Sequence, residues 1–227
     1  MTVEITSSGF RSPLLNTRNI DIDMLSIPVS GTEVMFGFIG MVDAERPNFH
    51  SAKFTVNAGF SQPMELVAQN IGPGGSPFPA GFIVALKNPV ATSGTLRVEF
   101  DETVAVMNGI GLVYSGLNTA SDIIPHTGTR TNPQPPNFVI EDNTFVVSSG
   151  NLVIDMCMTE SSNHTTHVVL TGTNLTYSGI AEAAVSMHKF SLADQIASVD
   201  GPVFLTREDV GGPFAGATIT AVAIEIL

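Results

Sequence analysis

Short apolar runs recur along this chain, and Gly, Pro, Asn or Ser closes each one before a helical period is established. That spacing is the strongest constraint on the fold. An amphipathic helix needs apolar positions at i, i+3, i+4 and i+7, sustained over about ten residues or more, whereas a strand needs only alternation or a brief solid run. Residues 20–26 alternate, with Ile20, Ile22 and Met24 on one face and Asp21, Asp23 and Leu25 on the other. Residues 33–42 are continuously apolar after Glu33 and carry two glycines, the pattern of a strand buried on both faces. Further runs at 52–58, 64–69, 81–86, 95–100, 109–114, 137–148, 151–158, 167–171, 183–190 and 218–226 bring the expectation to about twelve strands. One short helix is expected at 191–199, where Leu192, Ile196 and Val199 fall at i, i+4 and i+7 behind Ser191.

The pattern predicts an all-β protein, a β-sandwich or jelly-roll of two antiparallel sheets. A chain of 227 residues can bury about 70% of its unfolded surface, so one core suffices without cross-links. Two stretches cannot hold a ladder, because proline lacks the amide donor: 72–79, with Pro73, Pro77 and Pro79, and 131–137, with Pro133, Pro135 and Pro136. We read the second as a connection between sheets, since neither half alone supplies a complete set of strands. Residues 1–18 are polar, contain Gly9 and Pro13, and lack apolar periodicity; they are expected to form an N-terminal arm or an edge segment. Residues 19–227 then make a single β-sandwich domain. At the other end, Val222, Ile224 and Ile226 share one strand face and Ala221, Ala223 and Glu225 the other. The large face should enter the core, and the small one should accept another layer or another subunit.

Charge narrows the partners. There are 21 acidic residues against nine Lys and Arg, a net charge of −12. Phosphate backbones and anionic membranes require clustered cations, and these nine are scattered, so nucleic acid and membrane surfaces are not expected partners. Charged residues make up 13% of the chain, about half the usual share. Such a surface fits one partly covered by neighbours, and we expect a homo-oligomer. The first residues resemble no signal peptide and no run is long enough to span a bilayer, which places the chain in a host cytoplasm before assembly.

Candidate chemistry is sparse. Cys157 stands alone between Met156 and Met158, which excludes an intramolecular disulfide and suits core packing. His164 and His167 form the only close histidine pair, but on a strand positions three apart point to opposite faces. Asp21 and Asp23, with Asp43 or Glu45, could offer oxygen ligands to Ca²⁺, although no EF-hand spacing supports them. Nucleophile elbow, P-loop and dinucleotide patterns are absent. The acceptor triplets at Asn163 and Asn174 carry no weight without a secretory signal. No catalytic residue, cofactor site or metal site is expected, and no enzymatic activity.

The segments Gly81–Pro89, Ser93–Phe100 and Gly111–Leu117 share a cadence. The first strand closes on Leu86-Lys87-Asn88-Pro89, a turn follows at Ser93-Gly94, the next strand opens on Thr95, and a third runs through Tyr114-Ser115-Gly116. Gly150-Asn151-Leu152-Val153 continues the pattern. Over residues 50–227 this resembles a family of β-sandwich modules found in phage structural proteins and bacterial surface proteins, although the family's tryptophan before the first turn is missing. The resemblance implies a sandwich fold and a structural or adhesive role, and brings no catalytic residues. The grammar also makes sense by itself: Asn88 before Pro89 is expected to be extended, and Tyr114 can bury its ring and bond its hydroxyl to a loop backbone. The expected function is therefore that of a structural virion protein of a bacteriophage, a capsid decoration or other minor capsid protein, contacting a major capsid or other virion protein and itself. The alternative is a carbohydrate-binding or adhesin module of a tail fibre or cell surface. The absence of Trp and the presence of two Tyr count against that alternative.

Overall fold

The computed structural model describes residues 3–43, 46–56, 59–72, 78–130, 137–161, 168–171, 178–185, 188–198, 200–210 and 214–227. Among them the secondary structure is strand alone. The first half contributes β1 (Glu4–Leu25), β2 (Val34–Asp43), β3 (Phe49–Thr55), β4 (Ser61–Pro63), β5 (Glu65–Ile71), β6 (Phe78–Lys87) and β7 (Ser93–Ser115). The second half contributes β8 (Ile124–Arg130), β9 (Asn137–Val147), β10 (Asn151–Ser161), β11 (Val168–Thr171), β12 (Ser178–Val185), β13 (His188–Ile196), β14 (Gly201–Val210) and β15 (Phe214–Glu225). All strand pairings among the described residues are antiparallel.

These strands form three sheets, where two were expected. The first runs β4-β3-β7-β2-β6-β5, with β1 also on β7; the second runs β12-β13-β10-β15-β8; the third runs β11-β14-β9. The difference begins in β7. Its residues 95–100 and 109–114 look like separate strands, yet they belong to one bent strand of 23 residues. β1 pairs with it from Glu4↔Ser115 to Leu25↔Ser93. Of the two readings of residues 4–18, arm or edge segment, the pairing gives the second: they are the first part of an edge strand of this sheet.

The β1–β7 ribbon folds back on itself. A Cβ placed on Gly109 would meet Ile20 and Ile22 at 2.7 and 2.8 Å, and one on Gly37 would meet Leu96 at 3.0 Å. The later half of β1 and the earlier half of β7 therefore lie over the remainder of the sheet. They enclose a first core of Ile20, Ile22, Met24, Leu96, Val98 and Phe100 against Met35, Ile39, Met41, Phe82 and Val84. Gly9, Gly111 and Gly37 stand side by side across β1, β7 and β2 on this inner face. Side chains there would occupy the space that Ile22, Met24 and Leu96 use. Glycine is required by this close approach rather than by backbone conformation.

β2 is buried on both faces, as its continuous apolar run predicts. Met35, Ile39 and Met41 enter the first core, while Val34, Phe36 and Phe38 turn the other way into a second. There they meet Leu152, Ile154, Met156, Met158, Phe190, Leu192, Val222 and Ile224 of the second sheet. A third core of Val153, Cys157, Ile219, Ala221 and Ala223 packs on Phe145, Val147, Val203 and Leu205 of the third sheet. The two faces of β15 thus serve two cores, and the layer that covers its alanines belongs to the same chain. Residues 191–196, read as helix, lie in β13, where Phe190 and Leu192 alternate into the second core. Ladders to β10 and β12 on its two edges override the weak helical spacing. Asn88, expected to be extended before Pro89, instead has a φ of 53°.

Candidate functional site

The sequence-predicted site residues are not brought together. Asp21 and Asp23 do share the outer face of the folded-over layer, but each is engaged. Arg97 Nε and Nη2 donate to the two oxygens of Asp21 at 2.6 Å, and Thr95 Oγ1 donates to Asp23 at 3.0 Å. The hydrogen bond that Arg97 donates to Asp21 raises the Arg97 pKa further, against an opposing effect of burial. Glu99 lies 3.7 Å from Arg97 and 4.0 Å from Lys53. The result is a flat polar face whose charges are compensated by lateral neighbours. Asp43 caps the end of β2, where it accepts from the Ala105 amide at 3.3 Å. Glu45, His164, His167 and the acceptor triplets at Asn163 and Asn174 lie outside the described residues. Among the described residues no group of three or more His, Cys, Asp or Glu is placed to hold a metal ion.

Of two interior groups, one follows its sequence reading and the other departs from it. Cys157 is buried in the third core. Tyr114 is buried, but its hydroxyl donates to Asp194 Oδ2 at 2.7 Å rather than to a loop backbone. Burial first, then the nearby Asp194 carboxyl, pushes the phenol well above its ordinary pKa. Asp194 carries no sequence signal of its own, since β13 was not legible as a strand.

One end of the stack is held by two carboxylates. Glu33 accepts from the Ser30, Gly31 and Thr32 amides and from the Ser30 hydroxyl. Burial acts to raise its pKa, but these hydrogen bonds outweigh it and hold the carboxyl below the usual range. The loop so closed donates nothing further to Glu33; instead Thr32 accepts from Leu117 N and Gly116 N. Glu225 accepts from Ser121 Oγ and Asn118 Nδ2, which lower its pKa in turn. The turn at 116–121 thereby ties the first sheet to the second.

The β1 surface is the other distinctive region. Among the described residues this strand pairs only with β7. Phe10 is 53% and Leu15 65% exposed on it, beside exposed Arg11 and Arg18. Its ladder is interrupted between Arg11 and Leu14 and again between Thr17 and Asn19. Pro13 lies within the first interruption, and Asn16 has a φ of 51° just before the second. Such irregularity blunts an edge against indiscriminate strand pairing.

No family model, no curated protein and no solved structure matches this chain. Among the described residues no helix is long and apolar enough to cross a membrane.

Proposed function

We propose that the chain is a non-enzymatic structural protein of a bacteriophage virion, a capsid decoration or other minor capsid component that acts through protein–protein contacts. The observation that carries this reading is the β1 surface. A long edge strand exposes Phe10, Leu15 and Leu25 along one ribbon, while the buried apolar side chains of the described residues fill three cores. Its polar groups point the same way. The carboxylates of Asp21, Glu33, Asp194 and Glu225 are occupied by neighbouring donors. Each of these carboxylates ties together strands or loops of the fold. The reading includes a sandwich or jelly-roll arrangement of the antiparallel sheets, which the resemblance to β-sandwich modules of phage structural proteins implies.

The test is co-purification. Particles from a producing host, separated on a density gradient, should carry the chain at fixed stoichiometry to a major capsid protein. Recovery only in the soluble fraction, or selective binding to a glycan array, would replace this reading with that of a free binding module.

A further inference from the structure

The elbow of the β1–β7 ribbon pairs unlike charges on adjacent strands. Thr17 lies opposite Val104 and Asn19 opposite Glu99, so the single residue Arg18 faces residues 100–103 across a wide bulge. Leu15, Arg18, Asp101, Glu102 and Thr103 are all exposed there. Asp101 is engaged by His50 at 2.9 Å. Arg18 and Glu102 make no hydrogen bond or ion pair with any described residue, although both stand on the same elbow. Lys53, Lys87 and Arg97, by contrast, are held within the molecule.

We infer that this elbow is a self-docking surface whose occupant is a second copy of the chain, related by a two-fold axis, with Arg18 of each copy against Glu102 of the other. The inference deepens the assembly reading above and rests on it. A free cation beside a free anion becomes its own complement after a half-turn, which is the requirement of an isologous contact. The net charge of −12 opposes association through most other faces, so a productive contact must bring unpaired cations. Arg18 is such a cation, and the Leu15 side chain beside it adds apolar area that the meeting would bury. Pro13 and the register shifts on either side of Leu15 preclude a continuous ladder between the two β1 strands, so side chains rather than backbone make the contact.

Charge reversal tests it. Sedimentation velocity is run on the full chain at tens of micromolar for the parent, Arg18→Glu, Glu102→Arg, the double variant and an equimolar mixture of the two single variants. The parent should sediment as a dimer, twice 23.9 kDa. Each single variant should lose about tenfold or more in dimer affinity, because both symmetry-related pairs become like-charged. The double variant and the mixture should both recover it. Circular dichroism checks that each variant folds; Arg18→Gln and Glu102→Gln, which remove charge without adding repulsion, replace any that does not and should show a smaller loss. A monomeric parent, single variants that dimerise like the parent, or a mixture that fails to recover would each overturn the inference. A parent that dimerises but never associates with particles overturns the virion reading alone. One that joins particles as a monomer overturns the self-docking alone.

Discussion

Tyr114 on β7 and Asp194 on β13 are joined by a 2.7 Å hydrogen bond across the second core, the one side-chain bond described between the aromatic layer of the first sheet and the β10–β13 half of the second. Both residues are buried. Phe36 packs edge-on to the Tyr114 ring at 6.1 Å and so fixes its direction.

Tyr114→Phe should therefore cost about 1–3 kcal/mol, since it leaves a buried carboxyl without its donor. Urea denaturation would show this as a lower midpoint at unchanged slope. The pH dependence has a definite sign. The folded pKa of Tyr114 is raised above its ordinary 10.0, so its contribution is complete below pH 10 and is lost as pH climbs through the folded value. In an ultraviolet difference titration, one of the two tyrosines should ionise only as the protein unfolds, and Tyr114→Phe should remove that step.

The glycine row predicts a ranking. A methyl on Gly9 would strike the Asp23 carbonyl oxygen, which belongs to backbone, while one on Gly111 would strike the Met24 thioether. Methionine can change rotamer; a paired strand cannot move without breaking its ladder. Gly111→Ala should cost about 1–3 kcal/mol, the ordinary range for overpacking, and Gly9→Ala more than that. Thermal melting of the two variants decides the order, and equal losses would mean that β1 is free to shift.

Glu33 predicts acid sensitivity at the end of the stack. Its folded pKa lies below the ordinary 4.5, so its contribution is complete above that value and disappears as pH falls through the folded one. Glu33→Gln should lower stability at neutral pH and flatten the dependence between about pH 5 and 3. Denaturant midpoints of parent and variant, measured across that window, should converge at the acid end.

Ile224 and Ala223 separate the two cores that share β15. Ile224→Ala should cost about 2–5 kcal/mol, and Ile224→Asp should abolish folding, because the side chain is wholly inside the second core. Ala223→Ser places a hydroxyl in the third core, so its effect should be a loss of stability in the isolated chain and not of assembly. Chemical denaturation of the purified variants checks both.

Where one face of a strand is buried, the sequence announces it. The alternation at Ile20, Ile22 and Met24 and the solid run of β2 were legible because burial selects residue type position by position. What stayed hidden is equally specific. The early half of β1 presents Ser7 and Gly9 inward, so its inner face carries no apolar signal. Pro125 and His126 disguise β8, an edge strand, and Gly201-Pro202 disguises the start of β14. The bend in β7 splits one strand into two apparent ones at the polar residues Asp101, Glu102 and Thr103.

The surface features were less legible for a different reason. Asp21 and Asp23 share a face by simple alternation, but Arg97, which closes Asp21, comes from a distant strand. Arg18 and Glu102 likewise meet at one elbow only because β1 and β7 pair. Contacts of this kind depend on register, and one chain read in isolation contains no record of it.

The pairing of Glu4 with Ser115 also sets an order in time. A ribosome adding about 5–20 residues per second spends several seconds or more between making β1 and completing the strand it pairs with. For that interval Ile20, Ile22 and Met24 have no permanent place to go. The second sheet waits longer still, since β15 lies between β10 and β8 and is the last of its strands to emerge. A nascent chain interrupted before residue 214 lacks the strand that joins β8 to the rest of that sheet, so interrupted chains should be recognised by chaperones and proteases as unfinished rather than accumulate as stable fragments.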